Sequence, residues 1–143
     1  MCGVLLVYSK KDQLNQKKCI SASKKIFSRG PDFNFSRFKF DNKLFLSQTV
    51  LSITGKPELN LEYTKSNNNR FEILFNGEIY NFKELQKEYL DKNDLYNLSG
   101  SDTETIINLH QLYNPLDVRK MIEGMFAYVC LLYTSDAADD VIS

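Results

Sequence analysis

The chain begins Met1-Cys2-Gly3-Val4-Leu5-Leu6-Val7-Tyr8, and its aliphatic run from Gly3 to Tyr8 predicts a strand. Because the run is continuously apolar, we expect the strand to be covered on both faces. The run is too short to span a bilayer and has no basic leader, so it predicts neither a membrane segment nor a signal peptide. We therefore assign this apolar start to the folded domain.

The composition fits one globular domain without a charge bias. The chain has 143 residues, of which 43% are hydrophobic and 13% aromatic, and this is enough for a core. Lys and Arg number 18, as do Asp and Glu, so the sequence shows no electrostatic signature of nucleic-acid binding. The 3 cysteines and 1 histidine have no metal-ligand spacing, so we expect no metal site, no disulfide framework and a cytoplasmic location.

Hydrophobic periodicity and turn residues place the remaining elements. We expect helices over 15–28, 82–90 and 102–113, strands over 33–40, 44–53 and 71–75, a loop tip at 66–69 and a strand that begins at 125. Strands and helices are mixed without strict alternation. This arrangement favours a layered α/β (α+β) fold over a doubly wound sheet.

Cys2 is the first candidate for chemistry. Cysteine is small enough for Met1 to be trimmed, and trimming leaves a free α-amino group beside the thiol. An α-amino group has a pKa of about 7.7–8.0, so one residue would supply both nucleophile and general base. The alternative is an inert core cysteine at the start of a strand, and Met-Cys-Gly alone does not exclude it.

Two further segments carry polar groups suited to acyl transfer. The strand over 71–75 is expected to end in Asn76-Gly77, which would present a side-chain amide and a backbone N–H as an oxyanion hole, or else form a hairpin turn. Ser101 and Glu104 have the spacing of a helix capping box, which leaves Asp102 in the first helical turn. Capping and a ligand role for Asp102 are compatible.

Taken in order along the chain, these segments resemble the class II glutamine amidotransferase domain of asparagine synthetase and its relatives. The matching motifs are Cys2-Gly3, Arg29-Gly30-Pro31-Asp32, Asn76-Gly77-Glu78-Ile79-Tyr80-Asn81, Ser101-Asp102-Thr103-Glu104 and Gly124-Met125-Phe126-Ala127. Each motif alone is weak, whereas their common order is a strong signal. Arg-Gly-Pro-Asp with Asn-Gly-Glu-Ile-Tyr-Asn points to the asparagine synthetase branch.

The resemblance implies both a fold and a reaction. The fold would be a four-layer αββα sandwich of the N-terminal nucleophile hydrolase type. Cys2 would attack the side-chain amide of glutamine to form a γ-glutamyl thioester and ammonia. The Asn76 side chain and the Gly77 N–H would hold the oxyanion, and Asp102 would bind the substrate α-ammonium with the backbone of Gly77 and Glu78 nearby.

One position departs from the family pattern. The family usually has an arginine before the Leu-Ser-Ile segment, where it clamps the substrate α-carboxylate. Here Val50 precedes Leu51-Ser52-Ile53, so the bidentate partner of that carboxylate is missing. Weak glutamine binding, a different amide donor and lost glutaminase activity all stay open.

The end of the chain resembles a translated sequencing adapter. Residues 130–139 back-translate in one frame to an adapter used in fragment libraries, whereas the alternative is a native strand followed by an acidic loop. We therefore expect a partial amidotransferase domain over 1–129, C-terminally incomplete, and an artefact over 130–143.

The expected function is glutamine hydrolysis that supplies ammonia to an absent ATP-dependent asparagine synthetase domain. We expect no cofactor in this domain, with ATP and Mg confined to the absent one. The expected partners are glutamine and the missing domain; the resemblance allows a homodimer, and we expect neither nucleic acid nor membrane. Two alternatives stay open: an amidotransferase half acting on a sugar, a β-amino acid or a surface polymer, and a non-catalytic module with the same fold.

Overall fold

The computed structural model describes residues 2–51, 64–66 and 68–133, together with the backbone of 141–142. The chain forms two compact units, Met1–Glu58 and Leu59–Ser143, called here the N-terminal unit and the C-terminal unit. Each unit contains an antiparallel sheet and helices. The predicted α+β class is therefore confirmed.

The N-terminal unit contains a three-stranded sheet. Its elements are β1 (Gly3–Tyr8), α1 (Gln16–Lys24), a 3-10 turn (Phe27–Arg29), β2 (Phe33–Lys39) and β3 (Leu44–Val50). Strand β3 lies between β1 and β2 and is antiparallel to both. The register places Gly3 opposite Thr49, so the start of β1 lies beside the end of β3.

Burial in this sheet differs from the expectation for β1. Every residue of β3 is buried, whereas only Gly3 of β1 is buried and its other residues are half-exposed. The expectation that β1 is covered on both faces was wrong, because a continuous apolar run shows affinity for a core but not which strand lies centrally. Strand β3 contains the polar residues Ser47, Gln48 and Thr49, which are buried here, so its composition does not indicate its central position.

Helix α1 is shorter than the sequence pattern suggests. The Asn15 side chain accepts the Lys18 N–H at 3.0 Å and starts the helix, which ends at Lys24 before the 3-10 turn. Cys19 is the buried residue of α1. Strand β3 ends at Val50, and the predicted extension over Ser52 and Ile53 lies outside the described residues.

The C-terminal unit contains a second antiparallel sheet in the order β4-β5-β6. Its elements are β4 (Phe71–Ile79), α2 (Phe82–Leu85), a π turn (Gln86–Leu90), a 3-10 turn (Asp91–Asn93), α3 (Asp102–Leu112), α4 (Pro115–Met121), β5 (Gly124–Leu132) and β6 (Val141–Ile142). Helix α3 packs on β4, and its Ile106, Ile107 and Leu109 are completely buried. Burial of such side chains contributes roughly 1.5–3 kcal/mol each.

Several boundaries in this unit differ from the predicted ones. Strand β4 runs through Asn76-Gly77 to Ile79, so these residues form neither a strand end nor a hairpin turn. Residues 82–90 form one short α-helix and a π turn, and α4 was missed although Asn114 and Pro115 are a strong start signal. Strand β5 continues past Val129 to Leu132; the boundary at 129 stays a prediction.

No helix within the described ranges is long and apolar enough to cross a membrane.

Candidate active site

Cys2 lies immediately before β1 in the N-terminal unit. Its thiol is free and the residue is half-buried, which leaves part of it accessible. Arg29, in the 3-10 turn, donates from Nε to the Cys2 carbonyl oxygen at 3.2 Å. The Arg29-Gly30-Pro31-Asp32 motif thus positions the backbone of the candidate nucleophile, a role that we did not predict from the sequence.

Val50 joins the same motif to β3. The Asp32 N–H donates to the Val50 carbonyl oxygen at 3.2 Å, and Pro31 forms a bridge to Val50. The Val50 residue is only 6% exposed. An arginine introduced here would therefore start from a buried position, and its guanidinium would need to reach solvent or an anion.

In the C-terminal unit, Asn76 lies within β4, opposite Ala127. Its Oδ1 is buried and has no hydrogen-bond partner among the described residues. A buried amide oxygen without a partner is uncommon in native proteins and calls for an explanation. An oxyanion hole would use the other end of this amide, the Nδ2 donor.

Gly77 and Gly124 allow β4 and β5 to approach closely at this end of the sheet. Gly77 has a φ of +153°, and a Cβ on it would lie 2.2 Å from the Met125 carbonyl oxygen. Gly124 has a φ of +157°, and a Cβ on it would lie 2.1 Å from the Glu78 carbonyl oxygen. Both contacts are far inside the van der Waals limit, so glycine is required here for packing as well as for any oxyanion role.

Asp102 connects the start of α3 to the end of β4. The Ile79 N–H donates to Asp102 Oδ2 at 2.9 Å, and the Thr103 N–H donates to Oδ1 at 2.8 Å. A carboxylate has about four acceptor sites, so acceptor capacity remains for a ligand. Asp102 is half-buried and Glu78 is exposed. The structure thus brings Asp102 to the motif strand that carries Asn76 and Gly77.

Asn81, the last residue of that motif, has a structural role that we did not predict from the sequence. Its Nδ2 donates to the Met121 carbonyl oxygen at 2.9 Å, and its Oδ1 accepts the Glu123 N–H at 3.0 Å. The Tyr80 N–H also donates to the Glu123 carbonyl oxygen at 2.7 Å. These bonds attach the start of β5 to the end of β4 and hold the strand that carries the candidate oxyanion donors.

His110 is buried in the core of this unit. It is 3% exposed, and its Nε2 lies 3.2 Å from Tyr128 Oη. Burial lowers the pKa of His110 to about 4, because a charged ring would lose its hydration. A hollow of about 580 Å³ adjoins this pair and is lined by Arg119 and Phe126 among others; Asn76, Gly77 and Asp102 do not line it.

The described part of the chain contains no group of three or more His, Cys, Asp or Glu residues arranged to hold a metal ion. The candidate residues divide between the units: Cys2 belongs to the N-terminal one, and Asn76, Gly77, Glu78 and Asp102 belong to the C-terminal one.

Comparison with known proteins identifies the family of this chain. Residues 1–139 match the model of the glutamine amidotransferase domain, so the chain belongs to that family.

The individual relatives are asparagine synthetases. The chain is 33% identical over 144 residues to asparagine synthetase [glutamine-hydrolyzing] 1 of Saccharomyces cerevisiae, covering 99% of this chain and 23% of that protein. It is 31% identical over 133 residues to asparagine synthetase [glutamine-hydrolyzing] 1 of Arabidopsis thaliana, covering 92% and 22%. It is 31% identical over 142 residues to asparagine synthetase B [glutamine-hydrolyzing] of Escherichia coli, covering 95% and 24%. The chain thus spans about a quarter of the length of these relatives, and the predicted resemblance is confirmed.

Proposed function

We propose that this chain hydrolyses glutamine through a thioester on Cys2. The observation that carries the proposal is the Asp102 carboxylate, held at 2.9 Å from the Ile79 N–H on the strand that also contains Asn76 and Gly77. An acidic group so anchored suits the α-ammonium of an amino-acid substrate. The family match and the names of the relatives support glutamine as that substrate.

The proposed reaction has two steps that use groups of this chain and water. After Met1 is removed, the Cys2 α-amino group takes the thiol proton, and Sγ attacks the side-chain carbonyl carbon of glutamine. The C–N bond breaks, the proton passes to the leaving nitrogen, and ammonia departs from a γ-glutamyl thioester. Water then attacks the thioester, which releases glutamate and restores the thiol.

In this proposal, Asn76 and Gly77 stabilise the tetrahedral intermediates. The Asn76 amide and the Gly77 N–H are the proposed donors to the oxyanion. Loss of one such donor typically lowers turnover by roughly 10²–10³-fold. The adjacent positions of Asn76 and Gly77 on β4 support a joint role for the two donors.

We further propose that the ammonia passes to an ATP- and Mg-dependent asparagine synthetase domain outside this chain. The names of the relatives, and the quarter of their length that the chain covers, support this assignment. Another acceptor, such as a sugar, β-amino acid or surface polymer, is the runner-up within the same chemistry. A non-catalytic module is favoured by Val50 in place of the usual arginine, and opposed by retention of Cys2 and Asp102.

The four-layer αββα sandwich is the fold that we propose for the intact domain. Each unit by itself contains an antiparallel sheet with helices, as that fold requires. The free thiols of Cys2, Cys19 and Cys130 fit a reducing compartment, and we propose the cytoplasm.

The experiment is glutamate release from glutamine by the whole chain, with Cys2→Ala as the matched variant. Intact mass should show that Met1 is absent. We expect release by the unmodified chain and none above background from Cys2→Ala at equal folded concentration, checked by circular dichroism. Equal release by both proteins would exclude Cys2 as the nucleophile, and absence of release from a folded chain without Met1 would favour the non-catalytic module.

A further inference from the structure

The loop before α3 is organised around a buried carboxylate. Glu104 is 3% exposed and lies in the first turn of α3. Its Oε1 accepts the Leu98 N–H at 3.0 Å, and its Oε2 accepts the Ser99 N–H at 2.7 Å and Ser99 Oγ–H at 2.6 Å. A buried carboxylate that receives charge-assisted hydrogen bonds of this length holds its donors firmly.

This arrangement differs from the predicted capping box. The first half is present, because Ser101 Oγ accepts the Glu104 N–H at 3.2 Å. The second half would have Glu104 accept the Ser101 N–H. Instead the Ser101 N–H donates to Ser99 Oγ at 3.1 Å, and Glu104 reaches further back along the chain to Leu98 and Ser99.

Asn97 reinforces the same loop from its other side. Its Nδ2 donates to the Ser101 carbonyl oxygen at 2.6 Å and to Thr105 Oγ1 at 2.8 Å, while its Oδ1 accepts the Gly100 N–H at 2.7 Å. The loop from Asn97 to Ser101 is therefore tied to α3 by side chains on both elements. Its conformation determines where α3 begins.

The residue placed by this loop is Asp102. It is the first residue of α3 and directly follows the helix cap Ser101. Its Oδ2 accepts the Ile79 N–H, and this bond depends on the point along β4 at which α3 begins. The Glu104 carboxylate is thus connected through the loop and the cap to the position of the Asp102 oxygens.

We infer that Glu104 is a positioning residue for the Asp102 subsite and so for recognition of the substrate α-ammonium. This inference rests on the proposed function for its substrate, but its structural part does not. Glu104 itself touches loop atoms and is not a catalytic residue. Glutamine at this position has one acceptor oxygen instead of two. Its amide NH₂ group would face the N–H donors of the loop, and because two donors cannot bond to each other, the loop should shift.

The decisive readout is discrimination between two substrates. Glutaramate is glutamine without the α-amino group, so the ratio of kcat/KM for glutamine to that for glutaramate measures α-ammonium recognition. We expect Glu104→Gln to lower this ratio about 10-fold and Asp102→Asn to lower it at least as much. The matched control is Glu72→Gln, which alters another fully buried carboxylate of the same unit and should leave the ratio unchanged.

A second readout separates this inference from the proposed function. The exchange rate of the Ile79 amide proton reports its bond to Asp102 without any need for turnover. We expect Glu104→Gln to accelerate this exchange about 10-fold, with Leu74 on the same strand unchanged. If Glu104→Gln does not fold, Ser99→Ala removes the hydroxyl bond to Glu104 together with the acceptor of the Ser101 N–H, and should change the exchange rate in the same direction.

The outcomes are distinct. An unchanged substrate ratio in Glu104→Gln, with a reduced ratio in Asp102→Asn, would overturn the positioning role and leave the proposed function standing. If the unmodified protein hydrolyses neither compound, the proposed function fails, and the Ile79 exchange rate alone decides the positioning role. Unchanged Ile79 exchange in the folded variant would overturn it.

Discussion

The two units hold their candidate residues in different ways. In the N-terminal unit, Arg29 holds the carbonyl of Cys2 and leaves its thiol free. In the C-terminal unit, the Asp102 carboxylate accepts backbone N–H groups, and the loop before it is tied to α3 by Glu104 and Asn97. The groups proposed to bind charge are thus pre-organised by hydrogen bonds, whereas the proposed nucleophile has a half-buried thiol outside any disulfide.

Gly77→Ala should have the largest effect on the C-terminal unit. A Cβ at this position would lie 2.2 Å from the Met125 carbonyl oxygen, and the φ of +153° strains any other residue. We expect a loss of about 4 kcal/mol in the free energy of unfolding. Chemical denaturation measures this loss. Gly100→Ala is the control for backbone strain alone, because Gly100 has a φ of +68° and no atom lies within 4 Å of a Cβ there, so the excess loss in Gly77→Ala reports the steric clash. Equal stability of Gly77→Ala and the unmodified protein would contradict the close approach of β4 and β5.

Asn76→Ala should act on turnover more than on folding. The buried Oδ1 of Asn76 has no partner among the described residues, so removal of the amide breaks no internal hydrogen bond to that atom. We expect kcat for glutamine hydrolysis to fall by roughly 10²–10³-fold, which is about 3–4 kcal/mol of transition-state stabilisation. Steady-state kinetics beside thermal unfolding separate the two effects. A large loss of stability with normal turnover per folded molecule would assign Asn76 to the sheet.

His110 should make the C-terminal unit sensitive to acid. Burial lowers its pKa to about 4 in the folded state, against 6.5 for the ordinary side chain, so the unfolded chain binds more protons between these values. The free energy of unfolding should therefore fall as pH decreases through this window, by up to about 3 kcal/mol from this group. His110→Phe should remove that part of the pH dependence in urea titrations at pH 7 and pH 5. An unchanged pH dependence would contradict the assignment.

Val50→Arg should have the smallest effect of the four variants. If the missing carboxylate clamp limits binding, the new guanidinium should lower the Michaelis constant for glutamine, by about 10-fold for one good ion pair. Because Val50 is 6% exposed, we expect some loss of stability as well. Val50→Met is the control for size without charge. No change in the Michaelis constant in the folded Arg variant would mean that another group already holds the carboxylate.

Prediction from the sequence worked best where one local signal decides the structure. The Ser101 cap, the β1 bounds and the α+β class were all predicted. The central position of β3 was not, because a strand containing Ser47, Gln48 and Thr49 looks half-exposed until its neighbours are known. Asn76-Gly77 was expected to end a strand, but glycine there serves a close approach to β5, which is a tertiary property.

The residues of the candidate site also differ in whether a local signal or a tertiary contact determines their role. Asp102 was identified through the motif resemblance, yet its bond to the Ile79 N–H depends on how α3 packs against β4. The bonds of Asn81 to Met121 and Glu123 span about forty residues of chain and leave no local signature. Glu104 was predicted to cap the helix, and only the folded loop shows that it reaches Leu98 and Ser99 instead.

The most direct test of the central claim is covalent labelling by 6-diazo-5-oxo-L-norleucine, a glutamine analogue that alkylates the nucleophile of glutamine-hydrolysing sites. Cys19 and Cys130 serve as internal controls, since both are buried and burial raises the pKa of Cys130 to about 12. We predict one adduct, mapped to Cys2 by peptide mass spectrometry, which glutamine suppresses and Asn76→Ala slows. Absence of an adduct on the folded chain without Met1, or equal labelling of all the cysteines with no protection by glutamine, would contradict Cys2 as the nucleophile.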